Sequence, residues 1–157
     1  MPSFTIRVAH SSDAPALGRL RAALWPDAPA EQHEREVARA IGQGASGTMP
    51  AINFVAEAPN GEIVGFVEVG LRSHADGCDP AHPVGFVEGW FVSEPHRRAG
   101  VGRALIAAAE QWARAHGCRE MASDTPVENE PSQQAHRALG YEVVDRCVNY
   151  RKPLDPA

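Results

Sequence analysis

The run from Val84 to Val92 is almost wholly apolar, and it leads through a glycine-punctuated turn into the best amphipathic pattern in the chain. No other stretch constrains the fold as much. The helix pattern covers Val101 to His116. Val101, Leu105, Ala109 and Trp112 make one stripe, Ile106 and Ala113 flank it, and Gly117 supplies a stop. A buried strand passed through a tight turn to an amphipathic helix requires a sheet with that helix laid on one face. The turn itself runs Val92-Ser93-Glu94-Pro95-His96-Arg97-Arg98-Ala99-Gly100-Val101-Gly102-Arg103. Its two glycines let the backbone bend sharply and approach a ligand closely. The helix beyond offers unpaired N–H groups and the positive end of its dipole. Arg97, Arg98 and Arg103 add full charges to a chain whose formal net charge is -5. A pyrophosphate suits such a place. The bland alternative is a glycine-rich loop with solvated arginines. The spacing is neither that of a P-loop nor that of a dinucleotide fingerprint, because it lacks Gly-Lys-Ser/Thr and Gly-x-Gly-x-x-Gly.

Around this unit the pattern alternates steadily. Phe4 to Ala9 reads as a strand, Ser11-Ser12-Asp13 as a helix cap, and Leu17, Leu20 and Leu24 as the apolar side of a first helix that Trp25-Pro26-Asp27 breaks. An acidic helix follows over Ala30 to Ile41. Strands at Ile52 to Glu57 and Ile63 to Leu71 flank the turn Pro59-Asn60-Gly61, a hairpin signal. A loop covers Arg72 to Pro83. After the central helix, a strand is expected over Arg119 to Thr125, a short helix over Ser132 to Leu139, and a last strand over Tyr141 to Tyr150. The order β-α-α-β-β-β-α-β-α-β predicts an α/β (α+β) fold, with a single mixed, mostly antiparallel sheet flanked by helices. The 157 residues suit one domain over 1–157, with no repeat, low-complexity tract or long linker.

Composition narrows the function classes. A hydrophobic fraction of 43% and a charged fraction of 22% are those of a globular protein. An acidic balance speaks against nucleic acid as a partner and suits a cationic small molecule, although solubility alone also accounts for it. Cys78, Cys118 and Cys147 form no disulfide framework, which points to a reducing, cytoplasmic setting. No run is long enough for a membrane span, and the N-terminus lacks a signal pattern, so no membrane partner is expected. His74, Cys78 and His82, with Asp76 and Asp79, sit in one loop but match no zinc spacing, and no metal is expected.

Two carboxylates stand out. Glu88 interrupts an apolar strand, which puts it either on a wet face or in a polar site. Asp124 lies at the end of the next strand, where α/β proteins often place ligands, or else it caps a turn. If those strands are neighbours, both face one cleft. Together they suit an ammonium group and can take the proton an amine must lose before attacking a carbonyl.

The turn resembles the Arg/Gln-x-x-Gly-x-Gly/Ala signature of the GCN5-related N-acetyltransferases, and the element order is similar from Phe4 to about Pro153. A narrower resemblance is carried by Leu24-Trp25-Pro26-Asp27, Val87-Glu88-Gly89, Gly117 to Thr125, Glu128-Asn129 and Ser132 to Tyr141. These look like the aminoglycoside 6'-N-acetyltransferases. The resemblance implies an acyl-CoA N-acyltransferase fold with acetyl-CoA as co-substrate. It implies that the pyrophosphate sits on the amides of Arg98, Ala99, Gly100, Val101, Gly102 and Arg103 beside Arg97. The pantetheine would lie along Trp90, Phe91 and Val92, where the strand splays from its neighbour, and Asn129 would be a further acetyl-CoA contact. Trp25, Glu88, Asp124 and Asp145 are implied as aminoglycoside contacts, with Asp145 on the last strand acting across a homodimer interface. His136 stands where the superfamily often has a tyrosine that protonates the departing thiolate; a histidine can carry that proton near neutrality, or it can be a plain surface residue. The loop from Arg72 to Asp79 and the segment Val148-Asn149-Tyr150 have fewer aromatics than the resemblance leads one to expect.

The expected function is direct transfer of acetyl to the 6'-amine of an aminoglycoside, with no cysteine nucleophile. Glu88, Asp124 and His136 are the catalytic candidates. The alternatives are acetyl transfer to a polyamine, an amino-sugar or a protein N-terminus, and a non-catalytic acyl-CoA sensor.

Overall fold

The computed structural model describes residues 3–156, and its contacts divide the chain into two compact units, one ending at Asp124 and the other beginning at Thr125. In the first unit, β1 (Thr5–Val8) leads through a single 3-10 turn at Ser11–Asp13 into α1 (Ala14–Leu24). Asp13 does not cap α1 with its side chain. Its carboxylate instead accepts from the His10 backbone N–H and from two nitrogens of Arg7, while the third nitrogen of that fork donates to Glu57. One guanidinium thereby ties β1 to the entry of α1 and to the end of β3 (Met49–Glu57).

α2 (Ala30–Gln43) runs past the expected end at Ile41 and stops at Gly44, whose φ of 63° only a glycine adopts cheaply. A short strand missed in the sequence, β2 (Ala45–Ser46), pairs back on the start of β3. The Asn60-Gly61 turn joins β3 to β4 (Ile63–Arg72), and β5 (Val84–Val92) returns antiparallel to β4. α3 (Val101–Ala115) crosses over to β6 (Met121–Ser123), which lies parallel to β5. The strand order β1-β3-β4-β5-β6, with β2 beside β3, is the mixed, mostly antiparallel sheet expected.

Strand alternation divides the core between the two faces. Val55 and Phe66 meet Leu17 of α1 and Val37 of α2, both fully buried, together with Ala9 and Ala14. On the other face lie the buried residues of α3, Val101, Leu105, Ile106, Ala109 and Ala113. Gly65 of β4 lies beneath Leu105 and Val101, and Gly85 of β5 beneath Ala113.

The second unit holds α4 (Glu130–Ala138), which starts two residues before the expected Ser132 because the Asn129 side chain caps it by accepting from the Ser132 N–H at 3.1 Å. The last strand expected over Tyr141 to Tyr150 does not form. Residues 141–156 carry neither helix nor strand. Val143, Val144, Val148 and Tyr150 are 54%, 64%, 75% and 92% exposed. A strand exists only as a member of a ladder, and among the described residues this segment joins none. No helix among the described residues is long and apolar enough to cross a membrane.

Candidate active site

The site begins with a fault in a ladder. β4 and β5 pair Glu68 with Gly89 and Val69 with Val87, so Glu88 is the extra residue of a β-bulge. A bulge unpairs one residue and re-aims its side chain, and such faults cluster beside active sites. Here it explains how a carboxylate sits within an otherwise apolar strand. The Glu88 carboxylate accepts from Arg72 Nε at 3.0 Å and Arg72 Nη2 at 2.9 Å. With Glu68, Ser46, Met49 and His74 these two side chains line a cavity of about 540 Å³.

Sequence reasoning missed Glu68, although the signal was available: Glu68 breaks the apolar run of β4 as Glu88 breaks that of β5. Burial pushes its carboxyl above the ordinary glutamate range, and Arg21, which bonds to it, pulls the other way. The same guanidinium reaches Glu36 at 3.5 Å and lies 5.0 Å from the ring centre of Trp25. Trp25 ends α1 and is held from several sides. Its carbonyl is 3.0 Å from His33 Nε2, and its ring meets Phe66 edge-on at 6.4 Å. It also lies directly over Gly89, the residue after Glu88. Trp25 and Glu88, far apart in the chain, are thus brought to neighbouring points on the sheet.

Asp124 comes to the same strand from the other side. The β5–β6 ladder ends at the pair Val87 and Ser123, so Glu88 and Asp124 each follow the last paired residue of their strands. β6 is shorter than the expected Arg119 to Thr125, which leaves Asp124 exposed just beyond its end rather than within it. β5 runs on to Val92 after the ladder with β6 has stopped, so the two strands part where Trp90, Phe91 and Val92 lie.

The turn after β5 has the shape of an anion cradle. Arg98 and Gly100 both have left-handed backbone, at φ 63° and 86°. Alternating left-handed residues curl backbone N–H groups inward. Gly100 is the N-cap of α3, and no side chain caps the helix there. Trp90 Nε1 donates to the Gly102 carbonyl at 3.2 Å, and a Cβ at Gly102 would stand 3.1 Å from the indole, so a glycine lets α3 close on β5. The residues therefore fit a pyrophosphate: uncapped N–H groups, a helix dipole, and exposed Arg98 and Arg103. Arg97 is turned to a bracing task. Its Nε donates to the Val92 carbonyl at 2.8 Å, and its guanidinium lies over Phe91.

The remaining candidates lie in the second unit. Asn129 is the cap of α4 already described. His136 Nδ1 lies 2.7 Å from the Ser132 carbonyl, to which it donates, making Nε2 the acceptor nitrogen of the neutral ring. Tyr141 stands edge-on to it at 5.8 Å. Asp145 accepts from the Arg146 N–H at 2.8 Å, and it lies in the irregular terminal segment rather than on a strand. Among the described residues no group of three or more His, Cys, Asp or Glu side chains is gathered as for a metal. His82 instead pairs with Asp79 at 3.3 Å.

Comparison with known proteins gives a consistent result. The model of the acetyltransferase (GNAT) family matches residues 17–141. The aminoglycoside N(6')-acetyltransferase type 1 of Stenotrophomonas maltophilia is 45% identical over 98% of this chain and 95% of its own. The protein of the same name from Klebsiella aerogenes is 40% identical over 95% and 96%. Among solved structures, AAC(6')-Iy in complex with the bisubstrate analogue CoA-S-monomethyl-acetylneamine superposes with a TM-score of 0.84 at 38% identity, covering 96% of this chain and 99% of that one. AAC(6')-Ih from Acinetobacter baumannii gives 0.84 at 28% identity, covering 97% and 99%. The chain belongs to the acetyltransferase (GNAT) family, within the group of the aminoglycoside N(6')-acetyltransferases.

Proposed function

We propose that the protein is an acetyl-CoA-dependent N-acetyltransferase that modifies the 6'-amine of aminoglycosides and so confers resistance to them. The observation that carries the reading is the bulge at Glu88. It sets a carboxylate on the strand that also leads into the uncapped N-terminus of α3. An ammonium-binding group and a pyrophosphate cradle then share one strand, as transfer between a CoA thioester and a cationic amine requires.

Acetyl-CoA supplies the activated acetyl group. The amides of Arg98 to Arg103 and the side chains of Arg98 and Arg103 hold its pyrophosphate, and its pantetheine arm lies along Trp90, Phe91 and Val92. Asn129 gives a further contact. Glu88 and Asp124, with Trp25 beside them, bind the ammonium form of the acceptor, and one of the two carboxylates takes its proton directly or through water. The freed amine attacks the thioester carbonyl, whose oxygen is polarised by a backbone N–H near Val92. The C–S bond breaks, and the thiolate receives a proton from water or from the Nε2–H of a doubly protonated His136 ring, whose Nδ1–H stays on the Ser132 carbonyl.

The chain acts as one functional domain over 1–157 and as a homodimer. Support for the dimer is the terminal segment, where Val143, Val144, Val148, Tyr150 and Leu154 are all exposed, a run of apolar side chains that suits an interaction surface. Asp145 lies in that segment and acts toward the partner's acceptor. Three free cysteines suit a cytoplasmic setting.

Thiol release from acetyl-CoA tests the reading, comparing kanamycin or tobramycin with a 6'-hydroxyl aminoglycoside. Fast release with the 6'-amino compounds alone is expected. Acetyl-CoA binding without release for either would turn the reading to other amines, polyamines and amino-sugars first, and then to an acyl-CoA sensor.

A further inference from the structure

Arg72 is the last residue of β4, and its Cα pairs with that of Val84. Its guanidinium does more than bond twice to Glu88. It lies 3.5 Å from the centre of the Phe86 ring. Phe86 pairs with Gly70, so strand alternation puts the ring on the face of the sheet that also carries Glu68 and Arg72. A carboxylate and an aromatic face side by side are what an ammonium group on a sugar ring requires, the first for its charge and the second for cation and C–H contact. A cation of the chain itself takes both.

We propose that Arg72 is a built-in stand-in for the acceptor's ammonium group, a specificity-determining residue that the acceptor must displace from Glu88 and Phe86. The inference rests on the reading of Glu88 as an acceptor contact. Three observations support the exchange. The Arg72 and Glu88 side chains are 45% and 32% exposed, so the pair faces water and holds weakly. Arg72 opens the loop over residues 73–83, so its guanidinium can swing outward without unpacking a helix. Of the two carboxylates on the cavity wall, Glu68 is already bonded to Arg21, so Glu88 is the one that Arg72 answers. With Arg72 swung out, that wall gains negative charge at Glu88. The exchange thus admits an acceptor whose ammonium group answers Glu88 better than the guanidinium does.

Titration calorimetry of kanamycin into the full chain tests this, using the wild type, Arg72→Gln, Glu88→Gln and the double variant. Arg72→Gln is expected to tighten the Kd roughly two- to five-fold, the span set by removing a competing exposed ion pair. The gain is expected to vanish when Arg72→Gln is added to Glu88→Gln, because no carboxylate remains to be released. Should the glutamine variant melt early, Arg72→Met reports the same exchange, since it keeps the stem over Phe86 and drops the charge. An unchanged or weaker Kd on removing the charge, with Glu88→Gln still weakening binding, overturns the stand-in alone: Arg72 would then be a positioning residue for Glu88. No effect of Glu88→Gln, or no binding to the wild type, overturns the reading of Glu88 and the stand-in with it.

Discussion

Trp25 lies over Gly89 so closely that a Cβ at that position would stand 2.5 Å from the indole. The residue after the bulged Glu88 is therefore a glycine for a steric reason: the tryptophan that ends α1 needs its space. Gly89→Ala forces the indole away from the sheet or bends the strand at the bulge. A loss of about 1–3 kcal/mol, the usual range for overpacking, is expected, together with a raised KM for the aminoglycoside. Melting and acceptor kinetics measured together check it. A stable variant with unchanged KM would separate Trp25 from acceptor binding.

Arg98 carries the left-handed backbone that favours glycine, at φ 63°. Arg98→Gly removes that strain, and the freer unfolded chain cancels part of the gain, so apo stability is expected to rise by up to about 1 kcal/mol. The same change removes a charge from the pyrophosphate cradle and weakens acetyl-CoA binding. Melting temperature and acetyl-CoA affinity are expected to move in opposite senses, which distinguishes a ligand-holding arginine from a merely strained one.

The glycine turn and the two carboxylates were legible in the sequence because each breaks a local rule. Glycines interrupt a charged loop before a helix, and acids interrupt apolar or strand-end positions. What makes Glu88 special was not legible, since a bulge is a property of register between two strands rather than of either alone. Its partner Arg72 belongs to the preceding strand, and the connection is visible only once β4 and β5 are paired. Arg21 was read only as part of a helix, yet it joins Glu68, Glu36 and Trp25 across three elements. The terminal strand was misjudged for the converse reason. Val143, Val144 and Val148 between two tyrosines give a strand's propensity, and propensity without a partner makes no ladder.

The fork of Arg7 makes stability depend on acid. Its hydrogen bonds hold the Asp13 carboxyl below the usual carboxylate range, against the opposing effect of burial. A carboxyl lowered in the folded state contributes its full stability above the unfolded value of about 3.9 and loses it as pH falls through the lower folded value. The melting temperature of the wild type is expected to fall steeply below about pH 4, and that of Asp13→Asn to fall less over the same span. Arg7→Ala, which leaves a buried carboxylate with only the His10 N–H, is expected to cost about 2–3 kcal/mol at neutral pH. Parallel curves for the wild type and Asp13→Asn would place the acid-sensitive contact elsewhere.

Asp124 and Glu88 separate in their expected kinetics. Glu88 is bound by Arg72 and lies within the sheet, so its first task is to hold a cation. Asp124 stands exposed past the end of β6, where β5 and β6 part, and it has the freer approach to a proton on the reacting amine. Asp124→Asn keeps the shape and removes the basicity. Its kcat is expected to fall by about two orders of magnitude or more, the usual contribution of a positioned acid–base group, with acetyl-CoA affinity unchanged. Glu88→Gln is expected to raise the acceptor KM more than it lowers kcat. Raising the pH should rescue Asp124→Asn in part, because bulk hydroxide deprotonates the amine that the carboxylate no longer serves. A variant that turns over near the wild-type rate at neutral pH would remove Asp124 from the proton path and leave Glu88 as the base.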